Sequence, residues 1–128
     1  MTKTLKYPRI LLKLSGEALL GKEPYGVSHE ACLNTAKTLK SIVQQGHQLA
    51  VVMGGGNIFR GMKGVASGMA RTPADQLGML ATIMNGVALL QALKEVGCPA
   101  RVLSALDIPK VAESFVWHRA VKYLSEGE

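Results

Sequence analysis

Two stretches, RILLKLSGEAL (residues 9–19) and LAVVMGGGNIFRG (residues 49–61), decide the fold, because each is a short apolar run followed at once by a glycine-rich turn. Short apolar runs bounded by glycine are typical of buried strands, so we predict strands over residues 9–14 and 49–53. In a parallel sheet both turns leave from the carboxyl edge, where open α/β folds bind their ligands. The two stretches therefore predict one ligand-binding edge made of two turns.

Two helices are predicted from their capping residues. Ser28 is placed to cap a first helix, which Gly46 ends. Thr72, Pro73 and Asp75 predict the start of a long helix, with Thr72 as the cap, Pro73 in the first helical position and Asp75 completing a capping box. Helices that alternate with short apolar runs are typical of βαβ units.

The second half of the chain is predicted to continue this alternation. Gly97 and Pro99 end the long helix, residues 101–106 form a third strand and residues 112–124 a third helix. Residues 61–71 contain three glycines without apolar periodicity, so we predict a mobile surface loop there. The fold class that follows is α/β, a single layered domain over residues 1–128 with a mostly parallel sheet flanked by helices.

Composition and charge restrict the classes of function. The 128 residues carry 15 Lys and Arg against 9 Asp and Glu, a net charge of +6, but the basic residues are spread singly and few aromatic residues accompany them, which disfavours a nucleic-acid-binding face. Cys32 and Cys98 lack the spacing of a metal or redox pair, and no secretory signal is recognisable, so we expect a reducing, cytoplasmic setting. The apolar stretch over residues 77–90 falls short of the ~20 residues of a membrane span, and we interpret it as a buried helix.

The end of the sequence predicts a truncated fold. Residues 125–128 (SEGE) resemble a helix terminus that leads toward a further strand. A parallel sheet of three strands would leave long edges unpaired, which intact domains usually cover.

The second turn has the composition of a phosphate-binding loop. Gly54, Gly55 and Gly56 leave backbone amides free to converge on an anion. We expect Asn57 to cap a short helix over the next two residues, so that Arg60 reaches back over the same phosphates. The alternative is a tight turn between strand and helix with no ligand.

The first turn adds a cation to the same edge. Lys13 lies at the end of the strand, where its ammonium could neutralise charge during phosphoryl transfer, and Ser15 and Gly16 add donors. The alternative is a lysine that points to water. A P-loop over residues 16–23 is rejected, because Glu23 stands where that motif needs a hydroxyl residue and Pro24 prevents the helix that must follow.

One face of the long helix is small and polar. Asp75, Gly78, Thr82, Asn85 and Gly86 share an arc at the helical period. The Asp75 carboxylate could accept hydrogen bonds from sugar hydroxyls, although capping alone explains it nearly as well. We expect the methionines of the other faces, Met79 and Met84, to be core or subunit contacts.

With both turns in view, the chain resembles the amino-terminal half of the bacterial uridylate kinases, which belong to the amino-acid-kinase superfamily. The resemblance is carried by ILLKLSGEAL (residues 10–19), VVMGGGNIFRG (51–61) and DQLGMLATIMNG (75–86). It implies transfer of the γ-phosphoryl group of ATP, with Mg²⁺, to UMP in pyrimidine nucleotide synthesis. It also implies a cytoplasmic homohexamer.

The resemblance assigns a role to each residue of the two turns. Lys13 and Arg60 would be catalytic, and Gly55 and Asp75 would contact UMP. The ATP contacts would be Lys13, Leu14, Ser15, Gly16, Gly56 and Arg60. The region linked to activation by GTP would be Gly21, Lys22, Glu23, Pro24, Tyr25 and Gly26.

Family members are roughly twice as long as this chain, so the resemblance implies a UMP-binding lobe without its ATP lobe. Phosphoryl transfer depends on positioning and electrostatic stabilisation, and we therefore predict that the chain alone is inactive or weakly active. The alternative is a truncated paralogue that binds nucleotide or joins a hexamer without catalysing a reaction. A relative that phosphorylates a carboxylate or carbamate is disfavoured by the KLSGEAL turn.

Overall fold

The computed structural model describes residues 4–128, without the side chain of Met62. The elements in chain order are β1 (Arg9–Leu14), a 3₁₀ turn (Gly16–Leu19), α1 (His29–Gln44), β2 (Gln48–Met53), α2 (Gly61–Ala66), α3 (Arg71–Glu95), β3 (Leu103–Ser104), β4 (Glu113–Ser114) and α4 (Trp117–Ser125).

β1 and β2 form a parallel pair whose residues are in register from Arg9 opposite Gln48 to Leu14 opposite Met53. Residues along β1 alternate between exposed and half-buried, because only one face of the pair is covered. That face packs against the core between α1 and α3. The fully buried members of this core are Leu19, Cys32, Ala36, Leu39, Leu89 and Ala92.

The ends of α1 confirm the predicted cap and stop. Ser28 has extended backbone angles and its Oγ accepts a hydrogen bond from Ala31 N at 3.2 Å. Gly46 follows the helix with φ of +101°, a conformation that glycine adopts without steric cost. The chain then turns directly into β2, which starts one residue earlier than predicted.

The predicted start of the long helix is wrong in its details. Ala70 is the N-cap of α3 and no side chain caps it, so Thr72 and Pro73 already lie within the first turn. The helix starts at Arg71, and this places Asp75 four residues on, where its carboxylate accepts from Arg71 Nε at 3.1 Å. The capping box is replaced by an ion pair along the helix.

Residues 61–66 form a helix where we predicted part of a mobile loop. Gly64 lies close to the Phe59 ring, and a Cβ there would lie 2.6 Å from Cζ of that ring. The Ser67 hydroxyl then donates to Lys63 O at 2.9 Å, and Met69 N donates to Gly64 O at the same distance. Glycine here permits close packing of a short helix.

The third strand and third helix are both shorter than predicted. Residues 103–104 pair in parallel with residues 113–114, in a sheet separate from β1 and β2. Glu113 N donates to Val102 O and Phe115 N to Ser104 O, so these residues extend alongside β3 and α4 starts only at Trp117. These long-range hydrogen bonds outweigh the helical spacing of residues 112–116.

α3 is not the fully buried helix we predicted. One face, with Ala81, Asn85 and Leu89, is buried, whereas the outer face is exposed, with Met84 at 56% and Met79 at 43%. The two methionines are therefore not core residues. α3 is long and apolar enough to cross a membrane by length and composition alone, a criterion that core helices of soluble proteins also meet.

Candidate functional site

The parallel pairing of β1 and β2 brings the two glycine-rich turns into contact. Gly54 N donates to Leu14 O at 3.0 Å, which extends the strand pairing into the turns. A Cβ on Gly16 would lie 2.9 Å from Gly54 O and closer still to the Asn57 amide oxygen. Only glycine fits at residue 16, because the turns approach each other through their backbones.

Ser15 holds the shape of the first turn. Its Oγ accepts from Glu17 N at 3.2 Å and so caps the 3₁₀ turn. Glu17 is exposed on that turn, and its carboxylate forms an ion pair with the Arg60 guanidinium.

Arg60 spans both turns. Its Nε donates to Gly56 O at 3.1 Å in the second turn, while its terminal nitrogen bonds to the Glu17 carboxylate in the first. The pair is half-exposed, at 51% for Arg60 and 54% for Glu17. An ion pair so accessible to water contributes ~0.2 to 1 kcal/mol to stability. An anion of higher charge could therefore displace Glu17 from Arg60.

Gly55 and Gly56 have different surroundings. A Cβ on Gly55 would lie 2.8 Å from Ala81 Cβ and 3.1 Å from both Gly78 O and Thr82 N, so this residue lies flat against α3. The three atoms nearest to a Cβ on Gly56 would all belong to the Arg60 side chain, at 3.5 Å or more. The small face of α3 thus receives the second turn at Gly55.

Lys13 is exposed on β1, opposite Val52 in register and two residues before Ser15. Within residues 4–128, its ammonium has no hydrogen bond or ion pair. The charge is therefore accessible to an anionic ligand at the first turn.

Asn57 does not cap a helix, and that prediction is wrong. Residues 56–58 form a turn, and the Asn57 side chain is 3% exposed. Its amide pairs with that of Asn85 on α3, with Asn85 Nδ2 to Asn57 Oδ1 at 2.7 Å and Asn57 Nδ2 to Asn85 Oδ1 at 3.0 Å. Sequence analysis placed Asn85 on the polar face of α3 but missed this pairing, which has no local signature.

The loop that contains residues 21–26 ends on the same amide pair. Gly26 has φ of +90° and its N–H donates to Asn57 O at 2.7 Å, while Asn57 Nδ2 donates to Gly26 O at 2.8 Å. Gly21 also has a positive φ of +60°. The loop is therefore joined to the second turn at Gly26.

Asp75 lies one helical turn before Gly78, on the face of α3 that receives Gly55. Its carboxylate is half-exposed and both oxygens lie 3.1 Å from Arg71 Nε. The carboxylate is therefore accessible from solvent.

The cysteines belong to neither of the two turns. Cys32 and Cys98 are buried and free, and burial raises the pKa of both thiols. In the part of the chain that the structure describes, no three His, Cys, Asp or Glu residues are grouped so as to hold a metal ion.

Residues 8–127 match the model of the amino acid kinase family. A curated relative, the uridylate kinase of Protochlamydia amoebophila (strain UWE25), is 56% identical over 119 residues, which is 93% of this chain and 47% of the relative. This chain thus spans about half the length of that relative.

Two solved structures of UMP kinases are also similar to this chain, which again covers about half of each. A UMP kinase from Bacillus anthracis superposes with a TM-score of 0.87 at 36% identity, over 94% of this chain and 50% of that protein. A UMP kinase from Ureaplasma parvum gives 0.87 at 30% identity, over 97% and 52%. An aspartate kinase from Synechocystis, at 21% identity, 76% coverage of this chain and 16% of its own, shares the fold with a TM-score of 0.58.

Proposed function

The chain belongs to the amino acid kinase family, and from that premise we propose that it forms the UMP-binding half of a kinase that transfers the γ-phosphoryl group of ATP to UMP, giving UDP in pyrimidine nucleotide synthesis. One observation carries the proposal: Arg60 bonds to both glycine turns, which places its guanidinium between them. The curated relative at 56% identity bears the name uridylate kinase, which supports UMP as the acceptor.

In this reaction an oxygen of the UMP phosphate attacks the γ-phosphorus of ATP, and the bond from that phosphorus to the β,γ-bridging oxygen breaks. The negative charge on that bridging oxygen leaves with ADP. Catalysis of this step requires positive charge and hydrogen-bond donors along the path of the phosphoryl group. Lys13 and Arg60 supply the charge.

We assign the residues around the two turns to the two substrates. Lys13, Leu14, Ser15 and Gly16 bind the ATP phosphates together with Gly56 and Arg60, whereas Gly55 and Asp75 bind UMP. The contact of Gly55 with α3, one turn after Asp75, supports this assignment of the UMP site. The region from Gly21 to Gly26 responds to GTP, and the kinase is a cytoplasmic homohexamer.

Mg²⁺ enters as part of the Mg–ATP substrate. The described residues contain no cluster of carboxylates, histidines or cysteines that fits a metal ion by itself. Magnesium commonly keeps several waters and binds through the phosphates of its nucleotide.

The proposal is tested by titrating this chain with UMP and then with Mg–ATP by calorimetry. We expect UMP to bind and AMP not to bind. Asp75→Ala should weaken UMP binding by about tenfold or more, and Arg60→Ala should weaken Mg–ATP binding by a similar factor, which is the range for a charge-assisted hydrogen bond. Lys37→Ala is the matched control, because Lys37 is exposed on α1 and belongs to neither turn. Equal binding of UMP and AMP, or insensitivity to Asp75→Ala, would overturn the proposal.

Glu17→Gln isolates the role of Arg60. Glu17 competes with a phosphate for the guanidinium, so we expect removal of its charge to tighten Mg–ATP binding by about 1.5- to 5-fold, the equivalent of ~0.2 to 1 kcal/mol. Unchanged or weaker binding would show that Arg60 does not contact the phosphates.

The second candidate is a protein that binds UMP without phosphoryl transfer. The two candidates are separated by assaying UDP formation. UMP binding without UDP, from a protein whose intact mass in its source cells equals that of this chain, would favour the non-catalytic candidate. UDP formation that Lys13→Ala abolishes would favour the kinase.

A further inference from the structure

We propose that the amide pair of Asn57 and Asn85 is a positioning unit that sets the distance between the two phosphate turns and holds the end of the 21–26 loop against them. The inference rests on the proposed function of those turns. It assigns Asn57 and Asn85 no contact with substrate.

All four N–H donors of the two side-chain amides are used. Each Nδ2 donates once to the other amide and once to a backbone carbonyl, Gly26 O at 2.8 Å for Asn57 and Gly54 O at 2.7 Å for Asn85. Asn85 is fully buried and Asn57 nearly so. Each amide orientation is thereby fixed, because its two donors face two acceptors.

The amide pair also lies against Gly16 of the first turn. A Cβ on Gly16 would lie 3.0 Å from Asn85 Nδ2, and the Asn57 amide oxygen is closer still. Gly16, Gly26 and Gly54 belong to three separate segments of the chain, and all three lie against these two side chains. A shift of either amide must therefore move at least one segment relative to the others.

Packing alone does not account for this arrangement. Two apolar side chains of similar volume fill a buried space at little or no cost in stability, whereas an amide must have its partners. Here the partners outside the pair are carbonyls of the second turn and of the 21–26 loop. The polar pair thus provides directional contacts to the segments that the proposed function uses.

The test separates position from stability by comparing Asn57→Leu, Asn85→Leu and the double Leu variant in the ¹⁵N-labelled chain. Each single variant leaves one buried amide without its partner, so its urea midpoint falls. The double variant removes both amides and recovers part of that loss, although Gly26 O and Gly54 O still lack their donors. Asn34→Leu, at an exposed position of α1, is the control for the same change of side chain.

If the pair positions the turns, the double variant keeps its recovered midpoint yet exchanges the amide hydrogens of Gly26 and Gly54 about tenfold faster than the unmodified chain, because the local opening becomes easier. Its UMP affinity falls by about the same factor. A double variant with recovered stability, unchanged exchange at both glycines and unchanged UMP affinity would overturn the inference.

Asn85→Asp serves if the Leu variants do not fold. Its ionised carboxylate would face Gly54 O without a donor, while the protonated acid keeps one. The ratio of the Gly54 exchange rate in this variant to that in the unmodified chain should therefore be larger at about pH 7.5 than at about pH 5.5. A ratio that does not change with pH would contradict the inference. If the unmodified chain does not bind UMP, the proposed function fails, and the exchange at Gly26 and Gly54 still decides the role of the pair.

Discussion

Gly55 and its neighbour Gly56 offer a matched pair of substitutions in one turn. A Cβ on Gly55 would meet Ala81 Cβ, Gly78 O and Thr82 N at 2.8 to 3.1 Å, and these atoms cannot rotate away because they belong to the helix backbone or are attached to it directly. A Cβ on Gly56 would meet the flexible Arg60 side chain at ordinary contact distance.

Neither glycine has a positive φ, so alanine at either position lowers the conformational entropy of the unfolded chain and stabilises the folded state by the same ~0.4 to 1 kcal/mol. The difference between Gly55→Ala and Gly56→Ala therefore isolates the clash with α3, and we expect Gly55→Ala to be the less stable by ~1 to 3 kcal/mol, the usual cost of overpacking. Urea unfolding followed by circular dichroism measures both. Equal effects, or a larger loss for Gly56→Ala, would refute the close contact of the second turn with α3.

Three further predictions concern a helix cap, a glycine inside α3 and the buried thiols. Ser28→Ala should lower the free energy of unfolding by ~1 kcal/mol, because the Ala31 amide loses its cap, and an unchanged urea midpoint would contradict it. Gly78→Ala should raise the stability by ~0.5 to 1 kcal/mol, since its Cβ would meet nothing within 4 Å, and thermal unfolding that shows a loss would contradict this. Burial raises the pKa of Cys32 and Cys98, so the folded state holds these protons more tightly than the unfolded state, and the stability relative to the double Ala variant should fall as pH rises past 9.0. A difference in urea midpoint that stays constant between about pH 7.5 and 10 would contradict the last prediction.

The elements that sequence analysis predicted correctly are those with local causes. β1 has the predicted bounds because its apolar run is closed by Ser15 and Gly16, and α1 follows a cap whose hydrogen bond spans only three residues. Parallel pairing of the two apolar runs then placed both turns at one edge, as the βα pattern predicted.

The misjudged parts depend on contacts between residues far apart in the chain. The role of Asn57 requires Asn85, 28 residues away, and the extended path of residues 113–115 requires hydrogen bonds to Val102 and Ser104. Local spacing favoured a cap in the first case and a helix in the second. Propensity is a weak guide where tertiary hydrogen bonds compete with it.

The parallel pairing of β1 and β2 has a consequence for folding kinetics. Arg9 and Gln48 are 39 residues apart in sequence, and every other pair in the register has the same separation, with α1 between the strands. No hairpin can therefore initiate this sheet, and the entropy of closing a long loop must be overcome before any pair forms. We expect α1 to form first and both glycine turns to reach their final positions together in the late, rate-limiting step.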